Sequence, residues 1–112
     1  MMSKEESLDV SYVEVSASMD SWECWIEETT ADLLETTLSS LLSASGFNIL
    51  NTMVHHFPVQ GYTAIWLLAE SHLAVHTFPE SSKSYLQISS CNLGKLEVFK
   101  QLLVKSQELS IL

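Results

Sequence analysis

The length, composition and charge of the chain exclude several kinds of protein. With 112 residues, 46% of them hydrophobic and 17% charged, the chain has room for a single domain with one modest core, and its composition is not that of a disordered protein. The 14 acidic and 5 basic residues give a net charge of -9, which repels phosphate backbones and anionic lipids, so we expect neither nucleic acid nor a membrane as partner. Such a field mildly favours a cationic small molecule, although solubility alone also accounts for it.

The first residues and the cysteines bear on location. The start MMSKEESLDV carries acids where a secretory signal has a basic start and an apolar run. The apolar stretch 64–69 is far shorter than the ~20 residues that span a bilayer. We therefore expect a cytoplasmic protein whose two cysteines, Cys24 and Cys91, stay free thiols.

The first half of the chain predicts strand, break and helix in that order. Imperfect alternation predicts a strand near 10–18, followed by a break at Asp20 and Ser21. Residues 22–26 are expected to be irregular or helical. From about 29 to 45, leucines recur at the three-to-four spacing of an amphipathic helix, and Gly46 provides a natural stop.

The second half predicts strands and a last helix. A hairpin is expected from 47–57 and 62–69, with its second strand buried on both faces, followed by strands at 71–78 and 85–91. A helical stripe covers 96–109. The connections between strands are too short for crossovers, so the predicted fold is α+β: a two-layer sandwich with a mainly antiparallel sheet of four or five strands and two helices on one face.

One stretch of the sequence carries chemistry. Residues 69–80 read AESHLAVHTFPE, preceded by HHFPVQGYT at 55–63 and followed by LQISSC at 86–91. Together these segments resemble the processing region of the S-adenosylmethionine decarboxylase proenzyme family, in its short, prokaryotic, pyruvoyl-dependent form. Single elements such as Glu-Ser-His are weak signals, whereas the whole set at this spacing is specific.

The resemblance implies that the chain cleaves itself. The hydroxyl of Ser71 attacks the carbonyl of Glu70 and forms an ester, and His76 then removes the Cα proton of Ser71, a task that suits an imidazole near neutral pH. Thr63 matches a hydroxyl position that helps processing. The single domain is thereby expected to become a β chain of residues 1–70 and an α chain of 71–112, the latter starting with a pyruvoyl group.

The resemblance also implies how the mature site works. The pyruvoyl group derived from Ser71 is an electron sink for decarboxylation, and no metal is required. Cys91 matches the proton donor, a role that suits a thiol with a pKa of about 8.5. Phe57 matches an aromatic side chain that stacks on adenine, and Glu80 a carboxylate that binds ribose hydroxyls. The expected partners are S-adenosylmethionine and further copies of the chain, as a homodimer or higher homo-oligomer with residues from both protomers near each site.

Each site residue taken alone also has a plain structural explanation. Ser71 then is a strand serine, His76 a hydrogen-bonded core or edge histidine and Cys91 a small buried residue. Phe57 as core and Glu80 as a turn residue also stay open. No role is predicted for His55, His56 or His72, which lack a third ligand at zinc spacing, and Cys24 is expected to pack.

The sequence departs from the family at several positions, which leaves alternative functions open. Phe78 stands where the bacterial form has tryptophan, Gln87 replaces a frequent aspartate, and nothing before residue 47 supports the resemblance independently. The resemblance implies decarboxylation of S-adenosylmethionine to the aminopropyl donor of spermidine synthesis. The alternatives are a pyruvoyl-dependent arginine or ornithine decarboxylase, and a regulatory paralogue that does not cleave.

Overall fold

Five strands and two helices make up residues 18–112, which are the residues that the computed structural model describes. The strand predicted near 10–18 falls outside the described residues except for Ser18, which is not in a strand. In chain order the elements are β1 (Asp20–Ile26), α1 (Ala31–Ala44), β2 (Ile49–His56), β3 (Tyr62–Leu68), β4 (Ser71–Phe78), β5 (Lys83–Ser90) and α2 (Leu93–Lys105).

All neighbouring strands of the sheet are antiparallel, in the order β1-β5-β4-β3-β2. Strands β2 to β5 follow one another as a meander because each connection is a short turn. Strand β1 joins at the far edge by pairing with β5. The predicted α+β sandwich is confirmed, with five strands and both helices on one face of the sheet.

The hydrophobic core lies between that sheet face and the two helices. Alternate residues of the inner strands, among them Trp66, Leu73 and Leu86, are fully or almost fully buried. Helix α1 meets them with its buried leucines, and α2 contributes Phe99 and Leu103. Each such side chain stabilises the fold by about 1.5–3 kcal/mol through burial. No helix within residues 18–112 is both long enough and apolar enough to cross a membrane.

The prediction of an irregular or helical segment at 22–26 is wrong, because residues 20–26 form strand β1. Trp22 and Ile26 point toward the helices and pack in or against the core, whereas Trp25 lies on the opposite face and is 37% exposed. Apolar side chains on both faces obscure the alternation of an edge strand.

Strand β3 is buried on one face, not on both as predicted. Tyr62, Ala64, Trp66 and Leu68 are buried against the helices, whereas Ile65 and Leu67 lie on the other face and are 39% and 52% exposed. That second face of the sheet is not covered by any described part of the chain, and we call it the open face.

Both predicted helices are present, with different bounds for the second. Helix α1 agrees with the prediction, and it ends before Gly46, whose φ of 93° reverses the chain. Helix α2 begins at Leu93, where the side chain of Asn92 accepts a hydrogen bond from the Lys95 N–H at 3.0 Å, and it ends at Lys105. Leu109 is buried outside the helix, in a tail that contacts the end of β1.

Candidate active site

The turn between β3 and β4 places Ser71 at the start of a strand. Leu68 and Ser71 are paired across this turn, so only Ala69 and Glu70 connect the two strands. Glu70 has a φ of 60°, a left-handed conformation that costs a residue with a side chain roughly 1–2 kcal/mol. The peptide bond before Ser71 is therefore held by a strained residue.

Cys91 lies directly against Glu70. Its thiol is within hydrogen-bonding distance of the Glu70 carbonyl oxygen, at 3.3 Å, and of the Glu70 carboxylate Oε1, at 3.2 Å. The hydrogen bond to this carboxylate, with lesser effects from lost hydration and from the carboxylate charge, raises the pKa of the exposed Cys91 thiol. The thiol therefore stays protonated near neutral pH and can donate a proton.

A pocket of about 430 Å³ opens beside this pair. Its lining includes Phe47, Glu70, Cys91 and Lys95. The pocket therefore combines an aromatic surface, an acid, a thiol and an ammonium group, which suits a small polar ligand that has an apolar part.

Ser71 reaches the same region from the helix side of the sheet. The residue is only 6% exposed, and its Oγ donates a hydrogen bond to Ser90 Oγ at 2.7 Å. The two serines face each other across β4 and β5, and Cys91 follows Ser90 in the chain. The structure thus brings together Glu70, Ser71 and Cys91, three of the residues that the resemblance implies for the site, and we call them the cleavage-end group.

Thr63 and His76 form a second pair, on the open face. They are opposite each other in β3 and β4, and Thr63 Oγ1 lies 3.0 Å from His76 Nδ1. The ring of Tyr85 stacks against His76 with 6.4 Å between ring centroids. The histidine is therefore held in position by two neighbouring strands.

Phe57 and Glu80 lie at the same end of the sheet as that pair. Phe57 follows β2 and is 48% exposed, so it is not a core residue. Glu80 is in a 3-10 turn between β4 and β5, where its carboxylate is 3.5 Å from the amide nitrogen of Gln60. We call Phe57, Thr63, His76 and Glu80 the histidine-end group.

The two groups are separated within one chain. His76 is five residues beyond Ser71 in a regular strand, which amounts to roughly 16 Å along β4. The two side chains also point to opposite faces, because an odd spacing changes the face. His76 therefore does not reach Ser71 of the same chain in this structure. The sequence already indicates this, because the two residues are an odd number of positions apart in one strand.

Some residues near the site have no counterpart in the sequence-based prediction. Ser90, which contacts Ser71, reads in the sequence as an ordinary strand serine, and Lys95 reads as a helix surface residue. The pairing of β4 with β5 brings Ser90 to Ser71, and a pairing register cannot be read from a single strand.

Cys24 lies outside both groups. Burial raises the pKa of its thiol to about 11, as suits a packing residue. Within residues 18–112, no three His, Cys, Asp or Glu side chains cluster so that they could hold a metal ion.

Comparison with known proteins identifies the family. The profile of the family described as S-adenosylmethionine decarboxylase matches residues 16–108. The S-adenosylmethionine decarboxylase proenzyme of Prochlorococcus marinus (strain MIT 9313) is 40% identical over 58 residues, which are 52% of this chain and 46% of that protein. The proenzyme of the same name from Geobacillus kaustophilus (strain HTA426) is 31% identical over 71 residues, which are 62% of this chain and 57% of that protein.

The fold is also shared with a solved structure. The crystal structure of the adenosylmethionine decarboxylase from Aquifex aeolicus VF5 matches with a TM-score of 0.66 and 16% identity, over 80% of each chain. The matches to the proenzymes extend over about half the length of those relatives. The profile match covers most of the chain, and the chain therefore belongs to the S-adenosylmethionine decarboxylase family.

Proposed function

We propose that this chain is a proenzyme that cleaves its own backbone between Glu70 and Ser71 and becomes a pyruvoyl-dependent S-adenosylmethionine decarboxylase. The observation that carries the proposal is the contact at that peptide bond. A strained Glu70 precedes Ser71, and the thiol of Cys91 lies 3.3 Å from the Glu70 carbonyl oxygen. Membership of the family supports the same reaction.

The first step is an acyl shift from nitrogen to oxygen. Ser71 Oγ forms a bond to the Glu70 carbonyl carbon, the carbon–nitrogen bond breaks, and the proton lost from the hydroxyl is balanced by one gained by the nitrogen. The left-handed Glu70 contributes ground-state strain that cleavage relieves. The Cys91 thiol is positioned to donate to the carbonyl oxygen as negative charge develops on it.

The second step needs a base at the Cα proton of Ser71. His76 is the family's residue for this step, but in this structure it lies at the other end of β4. We therefore propose that His76, positioned by Thr63 and Tyr85, acts on Ser71 of a second copy of the chain. Removal of the proton breaks the ester bond to Ser71 Oγ, so that the main-chain carboxylate of Glu70 leaves as the new end of the first chain. Residue 71 becomes dehydroalanine, which water converts to the pyruvoyl end with loss of ammonia. The products are chains 1–70 and 71–112.

The surroundings of Ser71 fit a pyruvoyl group. Ser71 is at the start of β4, and the pocket of about 430 Å³ is lined by its neighbours Glu70 and Cys91. Once formed, the pyruvoyl group supplies an electron sink for loss of carbon dioxide from an amino acid. Cys91, held in its protonated form by Glu70, delivers a proton to the product.

The proposed substrate is S-adenosylmethionine, which would supply the aminopropyl donor for spermidine synthesis. Its cationic sulfonium is attracted by a chain with a net charge of -9. The half-exposed ring of Phe57 offers a face to adenine, and the Glu80 carboxylate can accept hydrogen bonds from a ribose diol. The two free cysteines suit the reducing cytoplasm that we infer as the site of the reaction.

We propose that the active form is a homodimer or a multiple of it, joined through the open face. Trp25, Ile65, Leu67 and Phe78 expose between 37% and 52% of their surfaces on this face. A twofold axis at this face can bring the cleavage-end group of one copy toward the histidine-end group of the other, and it then builds two equivalent sites.

Intact-mass measurement tests the cleavage. Freshly synthesised chain of 12.5 kDa is incubated and followed over time, with Ser71→Ala as control. We expect the wild-type chain to split into residues 1–70 and 71–112, and the second fragment to be lighter by the mass of one ammonia than the same fragment with an N-terminal serine. The Ser71→Ala chain stays whole. A wild-type chain that persists uncleaved would instead support a regulatory paralogue and refute the proposal.

Release of labelled carbon dioxide then tests the substrate. Carboxyl-labelled S-adenosylmethionine, arginine and ornithine are supplied separately to the cleaved protein. We expect labelled carbon dioxide to be released from S-adenosylmethionine and not from arginine or ornithine. Release only from arginine or ornithine would be consistent with pyruvoyl chemistry but would refute S-adenosylmethionine as the substrate.

A further inference from the structure

Ser90 holds the hydroxyl of Ser71 in a short hydrogen-bonded chain. Ser90 is the last residue of β5 and is completely buried, directly opposite Ser71 in the sheet. Its Oγ accepts from Ser71 Oγ at 2.7 Å and from the backbone N–H of Asn92 at 2.9 Å. Its own proton is directed to the Asn92 carbonyl oxygen, 3.4 Å away. Ser90 is therefore fixed by the backbone that leads into α2.

The direction of the Ser71 hydrogen bond matters for nucleophilic attack. A hydroxyl attacks a carbonyl carbon with a lone pair, so its proton must point elsewhere. Because the Ser71 hydroxyl donates its proton to Ser90 Oγ, the lone pairs of Ser71 Oγ stay available for attack. Within residues 18–112, Ser90 is the only hydrogen-bond partner of Ser71 Oγ, and burial of Ser71 to 6% exposure limits replacement of that partner by water.

We propose that Ser90 is the positioning residue for the nucleophilic hydroxyl of Ser71 in self-cleavage. This inference rests on the proposed function and concerns only its first step, in which Ser71 Oγ bonds to the Glu70 carbonyl carbon. Ser90 forms no covalent bond. It acts by fixing the rotamer and the proton direction of Ser71, a kind of orientation whose loss slows reactions by about ten- to a hundred-fold.

The rate of cleavage of serine-90 variants tests the proposal. Chains made in a short pulse of cell-free synthesis are followed by gel and mass spectrometry. We expect Ser90→Ala to cleave about ten- to a hundred-fold more slowly than the wild-type chain. The matched control is Ser89→Ala, because Ser89 is also buried but its hydroxyl bonds Ser21 and Gln87, and it should cleave at the wild-type rate.

A second pair of variants separates positioning from packing. Ser90→Thr and Ser90→Val add a similar bulk to this buried position, but only threonine keeps the hydroxyl. We expect the threonine variant to cleave at least ten-fold faster than the valine variant, at equal melting temperatures measured in a Ser71→Ala background. Equal rates for the two variants would mean that the hydroxyl has no positioning role.

Hydroxylamine identifies the step that is affected, because it cleaves esters but not ordinary peptide bonds. A His76→Ala chain is expected to accumulate the ester and to be cut by hydroxylamine before residue 71, whereas Ser90→Ala is not cut. The proposal is overturned if Ser90→Ala cleaves as fast as the wild-type chain or faster, or if it accumulates the ester. In either case the proposed function stands as long as the wild-type chain cleaves, whereas an uncleaved wild-type chain refutes both.

Discussion

Glu70 bears on the proposed chemistry through both its backbone and its side chain. Its φ of 60° strains the residue before the bond that we propose is cleaved, and its carbonyl and carboxylate oxygens both lie near the Cys91 thiol. A thiol has one proton, which the two acceptors share. The carboxylate keeps that proton on sulfur, and the protonated thiol is the form needed both to stabilise an oxyanion and to protonate a product.

Neutralising Glu70 should make Cys91 more reactive. In a Ser71→Ala, Cys24→Ser background the chain stays whole and Cys91 is its single cysteine. Adding Glu70→Gln removes the carboxylate that raises the pKa of Cys91, so the pKa falls and the thiolate fraction at neutral pH rises. We expect faster alkylation by iodoacetamide at neutral pH and a pH–rate profile with its midpoint at lower pH.

The matched control for this charge effect is Glu108→Gln, which neutralises an exposed carboxylate outside the pocket. It should leave the alkylation profile of Cys91 unchanged. If Glu70→Gln gives the same midpoint as its parent, the contact between Glu70 and the thiol does not persist in solution.

At the level of elements, the sequence predicts helices and strands best where the spacing of hydrophobic residues and a clear stop residue define them. Helix α1 follows from its leucine spacing with Gly46 as a stop, and β4 runs from Ser71 to Phe78 as predicted, closed by Pro79. Strand β1 and the faces of β3 were mispredicted for one shared reason. Trp25 and Leu67 are apolar residues on the open face, so neither strand shows the polar alternation that a one-sided core would produce.

The candidate site was only partly predictable because its residues come from elements whose pairing the sequence does not encode locally. The motif supplies Ser71 and Cys91, and the structure brings both to Glu70. The contact of Ser71 with Ser90 depends on the register between β4 and β5, which is determined by packing of the whole sheet. His76 belongs to the same motif, but it lies five residues farther along β4 and on the opposite face of the sheet from Ser71.

Two glycines at the ends of helices should respond oppositely to alanine. Gly46 follows α1 with a φ of 93°, and an added Cβ would be 3.5 Å from Lys95 Cε, so there is room for it. Alanine should nevertheless lower the free energy of unfolding by roughly 1 kcal/mol, because a residue with a Cβ disfavours this left-handed conformation. Gly94 lies inside α2, where alanine should stabilise the fold by about 0.4–1 kcal/mol. Urea unfolding of Ser71→Ala chains measures both, and a Gly46→Ala chain as stable as its parent would contradict the assigned backbone conformation.

Helix α2 offers a matched pair for the contribution of the core. Phe99 is fully buried between helix and sheet, whereas Val104 on the same helix is 66% exposed. We expect Phe99→Ala to lower the free energy of unfolding by about 3–5 kcal/mol, through lost burial and a cavity. Val104→Ala should change it by less than about 0.5 kcal/mol. Similar losses in the two variants, measured by urea unfolding, would show that α2 does not pack as described.

On the scale of the whole molecule, the proposed dimer would explain both the open face and the separation of the cleavage-end group from the histidine-end group. Exposed apolar side chains on one sheet face are costly for a lone protomer. Two copies that each carry a net charge of -9 repel one another, so the dimerisation that we propose has to draw on apolar burial, which this face can supply. The same association would unite two groups that a single chain holds at opposite ends of β4.

Complementation between two inactive chains tests this arrangement directly. A tagged His76→Ala chain keeps Ser71 but lacks the base, whereas an untagged Ser71→Ala chain keeps His76 but cannot be cleaved. If His76 acts on the partner, a mixed dimer contains one complete site, and the tagged chain is cleaved in it at Ser71. We therefore expect, by intact mass, cleavage of the tagged chain on co-expression and none when either variant is made alone. Co-expression of the tagged chain with a Ser71→Ala, His76→Ala chain is the matched control and should yield no cleavage. Tagged chain that stays intact in the mixture, or that cleaves at the wild-type rate by itself, would show that the base does not come from a second copy.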